Sequence, residues 1–345
     1  MTEKERDVIE IRELGPEDAS SLVACVRSCY GESYTEPEFY DAAYLRGELE
    51  ASRLLSVGAV AEGRIVGHIG TRIVASGAPV ADTIAGIVHP DYRGRGLTAA
   101  MGTEMVARYR DRGIVGARHV ATGAHDRTQR LIVASGGVAT GILLGHVAAG
   151  TQYRGIPHRF GRARIGVVVY FQPYGRLAAL DVYVPTRYQF LDDLYRDLHL
   201  ERRLLEGPSN GRSLDDWNGS VDHDRRQGIS TLCFGALSAS TVRSAAEVLT
   251  AARGHCEEIA YADLPLADAR TPAAADLLHD EGFHLGALLP GTGTSETLRL
   301  QRIAPDLAAP EAIVTASDGG RALLERICRE HREAGRAAER RGGQG

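Results

Sequence analysis

Residues Ile84–Leu97 read IAGIVHPDYRGRGL. An apolar strand ends at His89-Pro90, and a short loop follows in which Gly94 and Gly96 flank Arg95. The chain then enters Leu97–Arg112, where Leu97, Met101, Met105 and Val106 recur at helical spacing. Strand, glycine loop and helix together suit an anion. Glycines let the backbone come close, and the loop amides and the new helix terminus aim N–H groups at one point. The spacing is neither the G-x-G-x-x-G of a dinucleotide fold nor a loop closed by Gly-Lys-Ser/Thr, so those two nucleotide-binding classes are excluded.

On the N-terminal side, Val8–Arg12 reads as a strand, and Gly15–Asp18 opens a helix that runs to about Tyr30, with acidic residues at its positive end. Leu54–Ala61 and Ile65–Val74 read as a hairpin about Glu62-Gly63. On the C-terminal side come a strand at His119–Thr122, a helix at Asp126–Ser135 stopped by Gly136-Gly137, and strands at Ile142–Val147 and Ile165–Phe171. The strand, V-H-P and R-G-R-G-L together resemble motif A of the GNAT acyltransferases, and the order of elements is that of a GNAT domain. The resemblance implies that acyl-CoA, acetyl-CoA in the first instance, is bound as donor, and that the acyl group passes to a small-molecule amine by direct attack. On that basis the backbone at Ile87 and Val88 pairs with the pantetheine arm. Arg93, Gly94, Arg95, Gly96, Leu97 and Thr98 ring the pyrophosphate, with Gln129 as a further donor contact. Asp91 stands where the family usually has Gln or Arg.

The second half repeats part of this order. Strands are expected at Ala178–Val184, Ser230–Leu237 and Glu258–Ala262, and helices at Arg187–Glu206, Ser240–Arg253 and Pro272–Asp280. A hairpin of His284–Leu289 with Thr297–Gln301 follows, then a helix at Arg321–His331 and a frayed basic tail, AGRAAERRGGQG. LIVASGGVATGILLG (131–145) and LLHDEGFHLGALLPG (277–291) share helix, small-residue stop and strand, and the second resembles GNAT motif B. The expected fold is therefore α+β, with two GNAT-like domains, each a mixed, mostly antiparallel sheet flanked by helices. The first covers residues 1–174. The second, a degenerate copy with the C-terminal helix and tail, covers 175–345. Ser238–Thr241 lacks the glycines of motif A, so one donor site per chain is expected.

Acyl transfer also needs an acid for the leaving thiolate and a base or neutral amine. The motif B tyrosine of the family falls near Ile132 or Val133, neither of which carries a proton. His125 is the nearest titratable candidate for the acid, the alternative being that His125-Asp126 caps the helix. Asp82 is the candidate base, with a solvated turn residue as its bland counterpart. Tyr30, Tyr34 and His68 are candidates for the acceptor pocket, against loop packing for the tyrosines and a core position for the histidine. Cys25 and Cys29 lie on the first helix, apart from the motif, and nothing marks a required covalent nucleophile.

The bulk numbers set limits. At 345 residues two cores can form, and the net charge of −5 gives no global drive toward nucleic acid or anionic lipid. Lys4 is the only lysine, a usage that points to a GC-rich, bacterial genome. Cys25, Cys29, Cys233, Cys256 and Cys328 offer neither a Cys-x-x-Cys pair nor metal-ligand spacing, so reduced thiols, no metal and a cytoplasmic location are expected. The charged N-terminus is unlike a signal peptide, and the glycines of the uncharged stretch Leu131–Tyr153 argue against a membrane span. One local feature runs against the net charge. Arg154, Arg159, Arg162 and Arg164 cluster without an acid, which would suit a carrier protein or an aminoacyl-tRNA as an alternative donor. A non-catalytic acyl-CoA sensor is the third reading.

Overall fold

A computed structural model describes residues 8–73, 78–151, 153–157, 159–207, 218–234, 243–244, 258–292 and 295–342. The architecture is the mixed α/β one expected, with sheets flanked by helices. Contacts gather into two compact units, one of residues 1–119 with 150–157 and the other of 120–149 with 158–345. This division cuts the chain within β5.

The first unit holds β1 (Ile9–Glu13), α1 (Ala19–Tyr30), α2 (Ala42–Glu50), β2 (Leu54–Ala61), β3 (Arg64–Arg72), β4 (Val80–Val88), α3 (Leu97–Asp111) and most of β5 (Gly116–Thr122). β1 to β4 pair antiparallel in sequence order, and β4 pairs parallel to β5. The expected β2–β3 hairpin turns at Glu62 and Gly63, both left-handed at φ 50° and 72°. α2 is not announced by periodicity, since Leu45 is its only buried residue. What starts it is Asp41, whose carboxylate accepts from the amides of Ala43 and Tyr44. α3 buries Leu97, Met101, Met105 and Tyr109, a straight i, i+4 row.

The second unit holds α4 (Arg127–Ala134), β6 (Val138–Val147), β7 (Ile165–Pro173), β8 (Leu180–Tyr183), α5 (Leu191–Asp197), β9 (Arg202–Leu205), β10 (Asn218–Asp224), β11 (Ile229–Phe234), β12 (Arg243–Ser244), β13 (Ile259–Pro265), α6 (Thr271–Asp280), β14 (His284–Thr292), β15 (Ser295–Ile303) and α7 (Asp318–Gly342). The long helix expected over 187–206 is only the seven-residue α5. His199, at φ 53°, ends that turn, and the next residues form β9, parallel to β8. The tail is not frayed at residue 334, because α7 continues to Gly342. The helix expected at 240–253, Ser238–Thr241 and Cys256 lie outside the described residues.

Two stretches of this unit repeat each other in detail. α4 ends with the Gly136 and Gly137 amides donating to Val133 and Ile132, and α6 ends with the Gly282 and Phe283 amides donating to His279 and Leu278. Both stops use a left-handed glycine, Gly136 at φ 96° and Gly282 at φ 88°. β6 carries a register shift between Ala139 and Gly141, and β14 one between Leu285 and Ala287. Farther on, Gly145 and Gly291 are again both left-handed. The two strands pair antiparallel at Gly141 and Ala287. A Cβ on Gly141 would lie 2.3 Å from the Ala287 Cα, so only glycine permits the approach. Buried Gln301 of β15 fastens the junction. Its amide donates to the carbonyls of Ile142 and Leu285, and its oxygen accepts from the Leu144 amide.

Candidate functional site

The site begins with a defect in β4. Gly70 pairs with Ile84 and His68 with Ile87, so Ala85 and Gly86 together oppose Ile69 in a β-bulge. Pairing with β5 covers only Val80–Thr83 against Gly116–His119. Beyond Thr83, the β5-side edge of β4 is unpaired with β5 as far as Val88. The His89 amide donates to Val66 O at 2.9 Å. Gly67 and Val88 are therefore a non-hydrogen-bonded pair, and the Val88 amide and carbonyl face that open edge.

A 3-10 turn, Pro90–Tyr92, leads from this edge into the loop. Gly94 and Gly96 are left-handed at φ 78° and 75°, and a Cβ on either would meet nothing within 4 Å. They are needed for backbone conformation, and the space before them is open. Gly96 is the N-cap of the 15-residue α3 and offers no side chain to its first amides. Those donors and the positive end of the helix are left for an anion. Arg95 is exposed and lies 4.6 Å from the Tyr92 ring centroid.

Arg93 departs from its expected place at the anion. Its Nε donates to Val88 O at 3.1 Å and its Nη1 to Arg154 O at 2.5 Å. It thus latches the 153–157 segment onto the motif. The Arg154 amide donates in turn to Cys29 O, and the Cys29 thiol to Val88 O at 3.4 Å. Cys29 therefore sits against the motif, contrary to the sequence expectation. The hydrogen bond from the Cys25 thiol is the largest influence lowering Cys29, which stands at about 7 despite burial, with Ser28 and Arg93 adding to it. The same pairing pushes Cys25 up.

Around this corner stands an aromatic wall. Tyr30 lies 4.7 Å from Tyr34 and 5.8 Å from Tyr153, measured between ring centroids, and Tyr34 meets Phe39 edge-on. Burial raises both the Tyr30 and Tyr34 phenols, so they remain protonated donors. At its rim Arg72 pairs with Glu36 and Glu38.

Other expected residues are placed differently. Both carboxylate oxygens of Asp82 accept from Arg118, at 2.6 and 2.7 Å, so the proposed base is a committed ion-pair partner. His68 is fully buried, so it cannot line an acceptor pocket. His125 and Gln129 belong to the second unit. The His125 Nδ1 accepts from the Arg127 amide, so the imidazole caps α4 while Asp126 pairs with Arg130. Gln129 is buried, donates to the carbonyls of Thr122, His125 and Val314, and accepts from Tyr170 and the Ala316 amide. Its amide group is spent inside the fold and does not serve as a donor contact. Arg164 is likewise buried, held by Glu258 and the carbonyls of Gly145 and Gln227. Arg159 and Arg162 remain exposed, so the four arginines do not form one basic surface.

In the second half, among the described residues, one parallel pair is continuous. β11 pairs parallel to β13 from Ile229/Ile259 to Cys233/Asp263, almost to its end at Phe234. Asp263 is bound by Arg299, which lies over the Tyr261 ring. Among the described residues no His, Cys, Asp or Glu cluster suits a metal ion, and no helix is long and apolar enough to cross a membrane.

Residues 20–134 match the acetyltransferase (GNAT) family. That span runs from α1 through the glycine loop to the end of α4. No curated protein matches the chain. Several solved GNAT-type structures are similar over half of it. The ribosomal-protein-S18-alanine N-acetyltransferase of Escherichia coli is 14% identical, with 50% of this chain and 97% of that chain covered at a TM-score of 0.40. YncA of Salmonella typhimurium, described as a putative acetyltransferase with its cofactor acetyl-CoA, is 15% identical, covering 50% and 98% at 0.39. PaiA N-acetyltransferase of Thermoplasma acidophilum, in complex with coenzyme A, is 18% identical, covering 48% and 99% at 0.34.

Proposed function

We propose that this chain transfers an acyl group, acetyl in the first instance, from acyl-CoA to a small-molecule amine. The observation that carries the reading is the open edge of β4 running directly into an uncapped, glycine-lined helix start. The edge supplies the Val88 amide for an extended amide-bearing arm, the Val88 carbonyl being held by Arg93 and Cys29, and the loop supplies N–H donors for a pyrophosphate. The neutral amine attacks the thioester carbonyl, the carbon–sulfur bond breaks, the departing thiolate takes a proton from a side chain, and the proton lost from the amine nitrogen returns to that side chain through solvent. Since His125 caps α4 and Asp82 is paired, we assign the proton donor to the tyrosine wall. Tyr30 directly follows Cys29, whose thiol touches Val88 O, which places its phenol beside the donor-binding edge. Tyr34 and Tyr153 complete a surface suited to a small amine.

The two halves are, in this reading, copies of one GNAT-type unit, corresponding to residues 1–174 and 175–345. The matched glycine stops, the matched bulges and the Gly141–Ala287 contact between equivalent strands support this. Among the described residues an open edge beside a glycine loop is found in the first copy, and the 238–241 stretch of the sequence lacks the glycines of that loop, so one CoA should bind per chain.

Calorimetry with CoA tests this reading. One site per chain is expected, and Gly96→Asp should weaken binding by at least ~3 kcal/mol, because it places an unpaired charge against the anion. Two sites, or an unaffected variant, would remove the assignment. Release of free thiol from acetyl-CoA in the presence of a panel of amines separates a transferase from a sensor that only binds.

A further inference from the structure

We propose that His68, with Ser56 behind it, is a positioning residue that fixes the register of β4 and so aims the donor-binding edge at Val88. The proposal rests on the donor reading above. His68 lies on β3 with its ring fully buried. Its Nδ1 is 2.9 Å from Ala85 O and its Nε2 is 3.0 Å from Ser56 Oγ. A carbonyl only accepts, so the Nδ1 carries the proton, and the Nε2 lone pair accepts from the Ser56 hydroxyl. Both ring nitrogens are satisfied with a single tautomer. Burial lowers the imidazole to about 4, so this tautomer stays neutral through the physiological range.

The carbonyl it holds belongs to the bulge itself. Ala85 sits at φ 48°, a conformation a side chain adopts at a cost, and its C=O is turned out of the ladder toward the imidazole. Without a donor there, a buried carbonyl would be left unpaired. The relaxation open to the strand is loss of the extra residue, a slip of one. Such a slip exchanges the two faces and the two edges of everything beyond it. Val88 would then point its amide and carbonyl at β3, and the open edge would present Ile87. The ring is also packed in place. A Cβ on Gly70 would lie 2.9 Å from the His68 Cε1, and Phe39 meets the imidazole edge-on at 5.9 Å.

The test compares two ligands that use different parts of the site. CoA spans the glycine loop and the β4 edge, whereas ADP offers a pyrophosphate with no pantetheine arm. His68→Leu should weaken CoA binding at least ~tenfold while leaving ADP within about twofold of wild type. His68→Asn keeps a donor near the Nδ1 position and should recover most of the CoA affinity. Ser56→Ala, which leaves the ring present without its anchor, should weaken CoA a few-fold and spare ADP. It carries the test if His68→Leu fails to fold by circular dichroism. Equal losses for CoA and ADP in every folded variant would reduce His68 to a packing residue and overturn the proposal, as would CoA binding unchanged in His68→Leu. If wild type binds no CoA, the donor reading itself falls, an outcome distinct from either of these.

Discussion

Cys29 occupies a corner where four elements of the first unit meet: the end of α1, the end of β4, the start of the glycine loop through Arg93, and the 153–157 segment through Arg154. Its lowered value of about 7 has two separable sources. The Cys25 thiol donates to it, and Arg93 favours the anion electrostatically. The Cys29 thiolate absorbance should therefore appear below the ordinary thiol range in wild type and disappear in Cys29→Ala. Cys25→Ala and Arg93→Gln should each move the transition toward the ordinary thiol range. A transition unmoved by both would mean that neither group lowers the thiol, and would overturn this account of Cys29. None of this is visible in the sequence, where Cys29 is an apolar position on an amphipathic helix and its partners lie far along the chain. The glycine loop was legible because its conformation is local, and its left-handed positions, Gly94 and Gly96, are glycines. Asp82 and His125 were misjudged for the complementary reason. Their types allow catalysis, but Arg118 and the Arg127 amide claim them in space. His68 was partly legible, because a core position was the alternative to the acceptor pocket, whereas its partner Ser56 was not singled out. A buried polar side chain must find a partner inside.

At the scale of elements, the chain depends on β6 and β14 approaching with little side chain between them. Gln301 closes the gap by making three hydrogen bonds to the backbone of both strands. Gln301→Leu keeps the volume approximately and strands the Ile142 and Leu285 carbonyls and the Leu144 amide in a buried place. A loss of ~2–4 kcal/mol is expected, since an orphaned buried group costs ~1–3 kcal/mol and some relaxation occurs. Urea unfolding should show a lower midpoint with an unchanged slope, and a loss below ~1 kcal/mol would mean that water substitutes for the amide. The two segments that meet here, 131–145 and 277–291, were readable as a repeat because helix, stop and strand follow local rules. The 187–206 stretch was not. Leu191, Leu194, Leu198 and Leu205 fit a helical stripe and no Gly or Pro interrupts it, yet parallel pairing of Arg202–Leu205 with Leu180–Tyr183 outweighs helix propensity. α2 was missed for the opposite reason, having a good cap and almost no buried face.

For the molecule as a whole, the buried histidines set how stability responds to acid. His68 is lowered to about 4 by burial, and His284 to about 3 by burial and by the neighbouring His331. His284 Nδ1 lies 3.1 Å from Leu285 O and His284 Nε2 lies 3.1 Å from His331 Nδ1, an arrangement satisfied with both rings neutral. Unfolded histidine titrates near 6.5. Between that value and the folded ones, the unfolded chain binds protons that the native chain refuses, so stability falls as the pH falls. The contribution is fully present above about pH 7 and is lost through the interval from about 6.5 to 4, at up to ~1.4 kcal/mol per pH unit for each site. Carboxylates held low by arginine, such as Asp18 beside Arg12, act in a different window, because their contribution persists until the pH drops below the ordinary range of an aspartate. Urea midpoints at pH 7.5, 6.0 and 5.0 should therefore decline steadily. His68→Asn should start lower yet decline less steeply, since one of several buried histidines held low, His146 at about 4 among them, is gone. A midpoint constant from pH 7 to 5 would show that these rings take up protons without unfolding the chain. The imidazole at the β4 bulge would then be accessible to solvent, and the fixed tautomer that orients Val88 would not survive mild acid.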